Sequence, residues 1–471
     1  MTSKNADLPS VVKYLVPSGM LGSGILAEHV RYGIERGAQA IATDSGSTDS
    51  GASYLGRAVP KQPREAVFHD LEIIIAEANR AKLPVLIGTC GMCGADACVD
   101  WTRDIVLEIA AKLGITLKIA CLYSEQTAER LKAKNRAGKI TPLKPSGPLS
   151  DEVLDACDHI VALMGPEPYI KALESGADVV LGGRTTDPAV LAAFPLWKGA
   201  GAGPSWHAAK IAECGGMCTV NPRAGGILVS VGKDSFSVEP LDRDNRCTPE
   251  TVSAHMLYEN SNPFILTEPG GVLDVTGAEY ESFNDRATVV RGAVWTPRAY
   301  TMKLEGAGGS DYQAMMFIGI ENPDVLANLD KLESQMHERF VARVKQLFGV
   351  EAGAFDISLR IIGWNSVSGR PVAPGTPIPP EVGVMFVVTA ATQDLANRMA
   401  KACNSSFFHF PIRDGIELPS YAFPFSPAEI PRGRVYEFLL NHVVQTADAH
   451  ELVRAEWVNT ATSPAKDLSH A

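Results

Sequence analysis

A repeating unit in roughly the first 200 residues constrains the fold most: a short apolar run, a glycine-rich polar loop and a helix-like stretch. Six such runs can be counted, and they begin at Val11, Ala40, Pro84, Leu117, His159 and Ala177. Strands that alternate with helices favour crossover connections and a parallel sheet, and near-continuous apolar strands indicate burial on both faces. We therefore predict a parallel, doubly wound α/β domain, with a barrel as the alternative.

The pattern changes near residue 225, where short alternating β-branched segments indicate an antiparallel sheet. The elements expected after it are a strand at 312–320, an amphipathic helix at 323–347, strands near 356–363 and 382–391, and a helix at 393–409. That order resembles a ferredoxin-like α+β layer. The predicted divisions are an α/β domain at 1–222, an α+β domain at 223–455 and a disordered tail at 456–471.

Length, charge and cysteine content narrow the class of protein. A chain of 471 residues exceeds the ~250–300 residues at which single cores stop growing, so two domains are expected. A net charge of −11, without a long basic run, argues against nucleic acid and anionic lipid as partners. No apolar stretch approaches the ~20 residues of a membrane span, and nine cysteines in such a large chain fit reduced thiols. We expect a cytoplasmic protein that is not bound to membranes.

The loops that follow the strands form the candidate site, because an open parallel sheet binds ligands outside the carboxyl ends of its strands. Their glycines, hydroxyls and free amides suit an anion such as a carboxylate or a phosphate. The candidate substrate-binding residues are Gly22, Ser45, Ser47, Thr48, Cys90, Asp96, Glu125, Arg184 and Thr185. Any one of these loops by itself is better explained as a turn, but six on one edge favour a function.

Acidic and thiol side chains in these loops, and in one later segment, are the candidate catalytic groups. They are Asp44, Asp49, Glu167, Asp187 and Cys214. Carboxylates can act as general acid and base or as oxygen ligands for Mg²⁺, and some of them can instead cap the following helix. Arg184, in a glycine-flanked loop, can hold a substrate carboxylate in a two-point contact.

The cysteines and histidines leave several interpretations open. Cys90, Cys93 and Cys98 have spacing that suits a redox pair or an incomplete metal site, but burial in a core explains them as well. Cys214, between a glutamate and two glycines, is the cysteine to test first. Among the histidines, His207 is the one kept as a candidate.

Four segments resemble motifs of the acyclic terpene utilisation (AtuA-like) family: DSGSTDSGASYLG, ADVVLGGRTTDPAV, HAAKIAECGG and LYENSNPFILTEPGGVLD. The resemblance runs from about residue 11 to 310, and the ending AFPFSPAEIPRGRVYEFLLNHVV is similar to a subgroup of the family. It implies a cytosolic role in the breakdown of branched or unsaturated carboxylic acids or their CoA esters. The three-cysteine loop at 90–98 departs from the family pattern.

Three functions are compatible with these features. The first is a lyase or isomerase, most concretely a hydro-lyase, that moves a proton beside a carboxylate, with Arg184 and loop amides holding the negative charge. The second is a CoA-ester-dependent hydrolase or transferase in which PSGMLGSG holds a phosphate. The third is a non-catalytic ligand-binding or assembly subunit. The sequence requires no cofactor, although Mg²⁺ is an option.

A homo-oligomer is expected, and its interface has one candidate element. In the helix at 323–347, Leu329, Leu332 and Phe340 fall on one side and can contact a second copy. The alternative is that this stripe packs on the sheet of its own domain.

Overall fold

The computed structural model describes residues 11–460 except 224, 259, 352, 414 and 416. The chain forms two compact units, one from residues 1–308 and 437–471, the other from residues 309–436. Helices and both kinds of sheet are present, so the predicted mixed α/β class is confirmed. Every helix in the described part of the chain is too short or too polar to cross a membrane.

The strands of the described residues are numbered in chain order. They are β1 (Val12–Val16), β2 (Ile41–Asp44), β3 (Val85–Gly88), β4 (Lys118–Tyr123), β5 (Ile140–Pro142), β6 (His159–Ala162), β7 (Val179–Gly182), β8 (Ile227–Val231), β9 (Ser235–Pro240), β10 (Ile265–Glu268), β11 (Gly271–Asp274), β12 (Glu279–Ser282), β13 (Thr288–Arg291), β14 (Val294–Pro297), β15 (Thr301–Gly308), β16 (Tyr312–Ile320), β17 (Phe355–Ile362), β18 (Val382–Ala390), β19 (Ile430–Arg434), β20 (Glu437–Gln445) and β21 (Arg454–Asn459).

The α-helices of the described residues are numbered in the same way. They are α1 (Ala27–Glu35), α2 (Ala52–Arg57), α3 (Arg64–Ala81), α4 (Asp96–Leu113), α5 (Ala128–Arg136), α6 (Asp151–Ala156), α7 (Glu167–Glu174), α8 (Asp187–Trp197), α9 (Ala202–Ala212), α10 (Pro249–His255), α11 (Pro323–Leu326), α12 (Leu329–Phe348) and α13 (Gln393–Phe408). Short 3₁₀ turns lie at Thr48–Ser50 and Gly215–Cys218.

The largest sheet of the first unit has ten strands in the order β12-β13-β9-β8-β1-β2-β3-β7-β4-β21. Five of these are mutually parallel, in the order β1-β2-β3-β7-β4, and they are bordered by β8 and β21, which pair antiparallel with β1 and β4. The loops that follow the parallel strands therefore leave from one edge of the sheet. Two smaller sheets of this unit have the orders β10-β11-β14 and β5-β20-β15-β6.

Alternate residues of the parallel strands belong to two separate cores. Tyr14 and Leu86 point to the face covered by α8 and α9, where both side chains are fully buried. Leu15 and Ile87 point to the opposite face, which is covered by α1, α3 and α4. Because successive side chains of a strand alternate between faces, a strand that is buried on both must be apolar at every position. This explains the continuous apolar runs in the sequence.

One of the six predicted parallel strands lies in a different sheet. The run that begins at His159 forms β6, which pairs antiparallel with β15, with Leu304 opposite Ala162. An apolar run is equally compatible with either sheet, because hydrophobicity reports burial and not the identity of the neighbouring strand.

The compact units do not follow the predicted division after residue 222. β8 pairs antiparallel with β1, so residues 227–231 extend the large sheet and do not begin a second domain. The predicted disordered tail starts within a strand: β21 pairs with β4, and Trp457 lies opposite Ala120. Residues 461–471 lie outside the described part of the chain.

The second unit contains, in order, β16, α11, α12, β17, β18, α13 and β19. Its four-stranded sheet is antiparallel, with the order β17-β18-β16-β19. Leu332, Phe340, Phe386 and Phe407 are fully buried in its core. The apolar stripe of α12 therefore packs within its own unit, which removes it as the predicted oligomer contact.

Candidate functional site

Two adjoining clefts lie over the carboxyl ends of the parallel strands. The first, of about 520 Å³, is bordered by the loops after β1 and β2 and by residues 213–225. The second, of about 420 Å³, lies between the loop after β7 and the side chains of Lys303 and Glu305 on β15. Both are lined by Ser47, Asp49, Asp187 and Glu213, so they form one continuous candidate site.

The guanidinium of Arg184 is engaged by carboxylates of the chain itself. Its Nε donates to Oε2 of Glu305 at 2.9 Å, and its Nη1 donates to Oδ1 of Asp187 at 3.2 Å. Arg184 and Glu305 are 4% and 5% exposed. The two-point contact that we predicted with a substrate carboxylate is thus made with Glu305, because β15 brings this acid beside the loop after β7.

Further hydrogen bonds hold Glu305 on the wall of the second cleft. Thr48 Oγ1 donates to Oε2 at 3.0 Å, and Lys303 Nζ donates to Oε1 at 3.2 Å. Burial opposes ionisation of Glu305, but Arg184 lowers its pKa to about 2. Thr48 is predicted from the sequence to bind substrate, but in the structure its hydroxyl is hydrogen-bonded to Glu305.

Two other carboxyl groups, Asp44 and Asp187, lie in an environment that favours their protonated form. Asp44 is the last residue of β2, is 2% exposed and accepts a hydrogen bond from the amide of Gly46 at 3.1 Å. Burial, followed by repulsion from Asp187, raises its pKa well above the ordinary value, against the opposing effect of Arg184. Burial also raises the pKa of Asp187. A pair of this kind can accept and release a proton within the cleft.

A lysine and two glutamates line the second cleft, and one of them, Glu213, also lines the first. Lys210 Nζ donates to Oε1 of Glu213 three residues further along the chain, and both side chains are largely buried. Glu268 lines the second cleft, and burial raises its pKa to about 7. The site therefore contains more acids than bases and can hold protons or a cation.

Several predicted site residues lie away from the clefts. Glu167 begins α7, where its Oε2 accepts a hydrogen bond from Tyr300 at 2.7 Å. The amide of Asp96 donates to Glu125, which also bonds Nδ1 of His159 at 2.5 Å. These residues lie beside β4 and β6. The order β1-β2-β3-β7-β4 puts the end of β4 at the far side of the rim from β1, which separates Glu125 from the clefts.

Two more predicted residues, together with His207, are internal. Thr185 is fully buried, and its Oγ1 bonds the hydroxyl of Tyr169 at 2.8 Å. Ser45 is 4% exposed and faces a separate, very small cavity. His207 packs edge-on against Phe236, and burial lowers its pKa to about 3. None of these three residues lines either cleft.

The first glycine loop, PSGMLGSG, binds a carboxylate of the protein. The amides of Gly22 and Gly24 donate to Oδ2 of Asp70 at 2.8 and 3.2 Å, and the amide of Ile25 donates to Oδ1 at 3.0 Å. Asp70, on α3, is 1% exposed. Gly22 was predicted to contact a ligand, but its amide is used to fix the loop to α3.

The three clustered cysteines lie in the protein interior. Cys90 and Cys98 are 0% exposed and Cys93 is 1% exposed, and the Sγ atoms of Cys93 and Cys98 are 3.5 Å apart. Burial raises the pKa of Cys90 above its ordinary value, which keeps the thiol protonated. The structural interpretation of Cys90 therefore fits its position best.

Cys214 is the predicted thiol that lines the first cleft. It follows Glu213 at the end of α9, and its Sγ lies near a ring nitrogen of His255, the last residue of α10. Of the other predicted residues, Ser47 and Asp49 line both clefts, where the Ser47 hydroxyl donates to a carboxylate oxygen of Asp49.

Sequence reasoning missed five residues of this site: Lys210, Glu213, Glu268, Lys303 and Glu305. Lys210 and Glu213 both lie in HAAKIAECGG, where their spacing of three residues on a helix is the signature of a facing pair. Glu305 and Lys303 alternate on a strand, which indicates a shared face. Their position opposite the loop after β7 follows from the pairing of β15 with β6, which no local pattern reveals.

Comparison with known proteins gives one family and no individual relative. Neither the curated proteins nor the solved structures contain a significant match. The family described as "Acyclic terpene utilisation family protein AtuA" matches residues 60–234 and 230–418, which together cover most of the chain. The first match includes Arg184, Asp187, Lys210 and Glu213, and the second includes Glu268 and Glu305. The resemblance inferred from the motifs is thereby confirmed, and this chain belongs to the acyclic terpene utilisation family AtuA.

Proposed function

We propose that this protein is a lyase or isomerase, most concretely a hydro-lyase, that moves a proton next to the carboxylate of a small carboxylic acid. The observation that carries the proposal is the pair Asp44 and Asp187 on the wall of one cleft. Both carboxyl groups have raised pKa values; Asp44 is buried, and the side chain of Asp187 is 29% exposed. A general acid or base works best when its pKa lies near the working pH, and burial brings carboxyl groups toward that range.

The substrate carboxylate needs a positive partner other than Arg184. Lys303 is 41% exposed at its side chain and lines the second cleft, and Lys61 lines the first. Arg184 would act indirectly. It holds Glu305 in place, and its positive charge offsets negative charge at Asp187. Negative charge that develops beside the substrate carboxylate would be stabilised by these cations.

The CoA-ester alternative is less well supported. It depends on a phosphate bound by PSGMLGSG, but the amides of Gly22 and Gly24, with that of the following Ile25, already donate to Asp70. A CoA ester therefore stays an alternative form of the substrate, with no assigned phosphate site. Oligomerisation and the assembly-subunit alternative also stay predictions.

We further interpret the two units in terms of known arrangements. The five parallel strands with helices on both faces fit a doubly wound domain that antiparallel strands extend at either side. The strand order β17-β18-β16-β19 fits a ferredoxin-like layer, in which α12 and α13 are the helices that connect strands.

Proton exchange tests the proposed reaction without knowledge of the product. The purified chain is incubated in deuterated water with small di- and tricarboxylic acids, branched unsaturated acids and their CoA esters, and proton NMR follows loss of the signal beside the carboxyl group. At least one compound should exchange faster than it does without protein. Asp44→Asn and Asp187→Asn should each lower that rate about 100-fold or more, which is the scale of a lost general acid or base.

Asp234→Asn is the matched control, because this aspartate is exposed in the turn between β8 and β9. It should leave exchange unchanged, and near-ultraviolet circular dichroism should show that all variants are folded. Full activity in folded Asp44→Asn and Asp187→Asn, or the absence of exchange with every compound, would overturn the proposal.

A further inference from the structure

Three side chains with different donor atoms converge beside the first cleft. A carboxylate oxygen of Glu213, the Sγ of Cys214 and a ring nitrogen of His255 all lie within 4.8 Å of one another. In the described part of the chain, this is the one group of three such side chains that can hold a metal ion. One ion placed between donors at this spacing can contact all three after small side-chain rotations.

Two of these side chains are buried with an unused polar atom. Glu213 is 4% exposed and His255 is 5% exposed. Among the described residues, neither Oε2 of Glu213 nor Nε2 of His255 has a hydrogen-bond partner. A buried polar atom without a partner is destabilising, so two of them close together favour a ligand that binds both.

The backbone holds the three residues in place. Glu213 and Cys214 lie where α9 passes into the 3₁₀ turn Gly215–Cys218, against which α10 packs with His255 at its end. Gly215 has a φ of +58°, and a Cβ there would lie 2.5 Å from the amide nitrogen of Gly19. Only glycine fits that position, so the loop after β1 packs closely against the turn that directly follows Cys214.

The surrounding charges are compatible with a divalent cation. Lys210 is the nearest base, and it is bound to Oε1 of Glu213, the oxygen opposite the unused one. Asp187 and Glu268, which line the second cleft with Lys210 and Glu213, are further carboxyl groups that can ionise beside a bound cation. An acid that is hydrogen-bonded through one oxygen and binds metal through the other is a common arrangement around metal ions.

We propose that Glu213, Cys214 and His255 bind one divalent transition-metal ion of the zinc type. A mixed set of sulfur, imidazole nitrogen and carboxylate oxygen favours such ions over Mg²⁺ or Ca²⁺, which prefer oxygen alone. Cys214 binds as a thiolate, and its proton passes to solvent. Three protein ligands leave a fourth position, which opens to the first cleft because Glu213 and Cys214 line it.

Metal binding by the full chain is the test, and it is independent of the proposed reaction because its readouts do not use activity. The untagged protein is stripped with a chelator, incubated with Zn²⁺ and desalted, and zinc per chain is measured. About one ion per chain is expected. Replacement by Co²⁺ should give the near-ultraviolet absorption of a cobalt–thiolate bond in the unaltered chain.

Matched variants assign the ligands. Cys214→Ser and His255→Gln should each weaken Zn²⁺ binding more than about 100-fold, since loss of an outer partner alone costs about 10–100-fold. Cys157→Ser, a second half-buried cysteine, and His207→Gln, a second buried histidine, should keep it. Failure of the unaltered chain to bind zinc, a cobalt complex without the thiolate band, or unchanged binding by Cys214→Ser and His255→Gln would overturn the proposal.

Discussion

Arg184 and Glu305 form a buried ion pair in which Nε lies 2.9 Å from Oε2, and they join the loop after β7 to β15 across 121 positions of sequence. Removal of one member leaves the other charged and buried. We expect Arg184→Met to lower the free energy of unfolding by about 3–5 kcal/mol, as measured by urea denaturation. The exposed pair of Arg243 and Glu35 offers the control, and Arg243→Met should have little effect. A small loss in Arg184→Met would show that the pair is dispensable.

The link between Asp70 and the first glycine loop predicts a local effect. Asp70→Asn keeps the size of the side chain but removes the negative charge of the carboxylate that accepts hydrogen bonds from three backbone amides. Stability should fall by about 1.5–3 kcal/mol, the range for hydrogen bonds to a charged group. Hydrogen exchange at the amides of Gly22 and Gly24 should accelerate, whereas amides in β4 should keep their relative protection. Unchanged exchange at both glycines would contradict the assignment.

The pair of His159 and Glu125 predicts a pH-dependent stability. The hydrogen bond with Glu125 raises the pKa of His159 above its ordinary value of 6.5. Burial opposes ionisation of Glu125, but His159 and the amide of Asp96 lower its pKa below 4.5. A raised histidine pKa contributes stability that is complete below 6.5 and disappears as the pH rises through the raised value. A lowered glutamate pKa contributes stability above 4.5 that is lost in more acidic solution.

The stability difference between the unaltered chain and His159→Gln should therefore be largest between pH 4.5 and 6.5 and should shrink toward alkaline pH. Chemical denaturation across a pH series measures it, and other titrating groups cancel in the difference. A difference that grows with pH would be incompatible with this pairing.

Thiol accessibility distinguishes structural from exposed cysteines. Seven of the nine cysteines are buried, whereas Cys157 and Cys214 are partly exposed. A thiol reagent should modify at most these two quickly in the native protein and all nine in denaturant. Peptide mapping after a short reaction should find Cys90, Cys93 and Cys98 unmodified. Rapid labelling of Cys93 would show that the loop at 90–98 opens to solvent.

Local sequence patterns predicted most of the elements, because burial on both faces of the parallel sheet requires continuous apolar strands. The helix and strand order of the second unit followed in the same way from alternation and helical periodicity. The errors in the predicted fold concern which strands pair. HIVALM has the pattern of a buried strand, but its pairing with β15 depends on residues about 140 positions later.

In the candidate site, too, local patterns predicted some residues, whereas contacts between distant parts of the chain were missed. Asp44, Asp49, Asp187 and Cys214 could be proposed from their positions after strands or glycine loops, and all four line the first cleft. The engagement of Arg184 by Glu305 could not be foreseen, since it depends on that same long-range strand pairing. The binding of Gly22 by Asp70 was equally hidden, because an aspartate in a helical pattern gives no sign of the loop that it faces.

The first unit is interrupted in sequence, and β15 and β20, on either side of the interruption, pair directly, with Gly308 opposite Glu437. During synthesis, β20 and β21 leave the ribosome after every other strand of the described chain, so neither the sheet that carries Glu305 nor the edge beside β4 can be completed before the second unit has been made. The second unit has all of its strands earlier and can fold first. Removal of β20 and β21 would thus damage a site whose other parts were made hundreds of residues before.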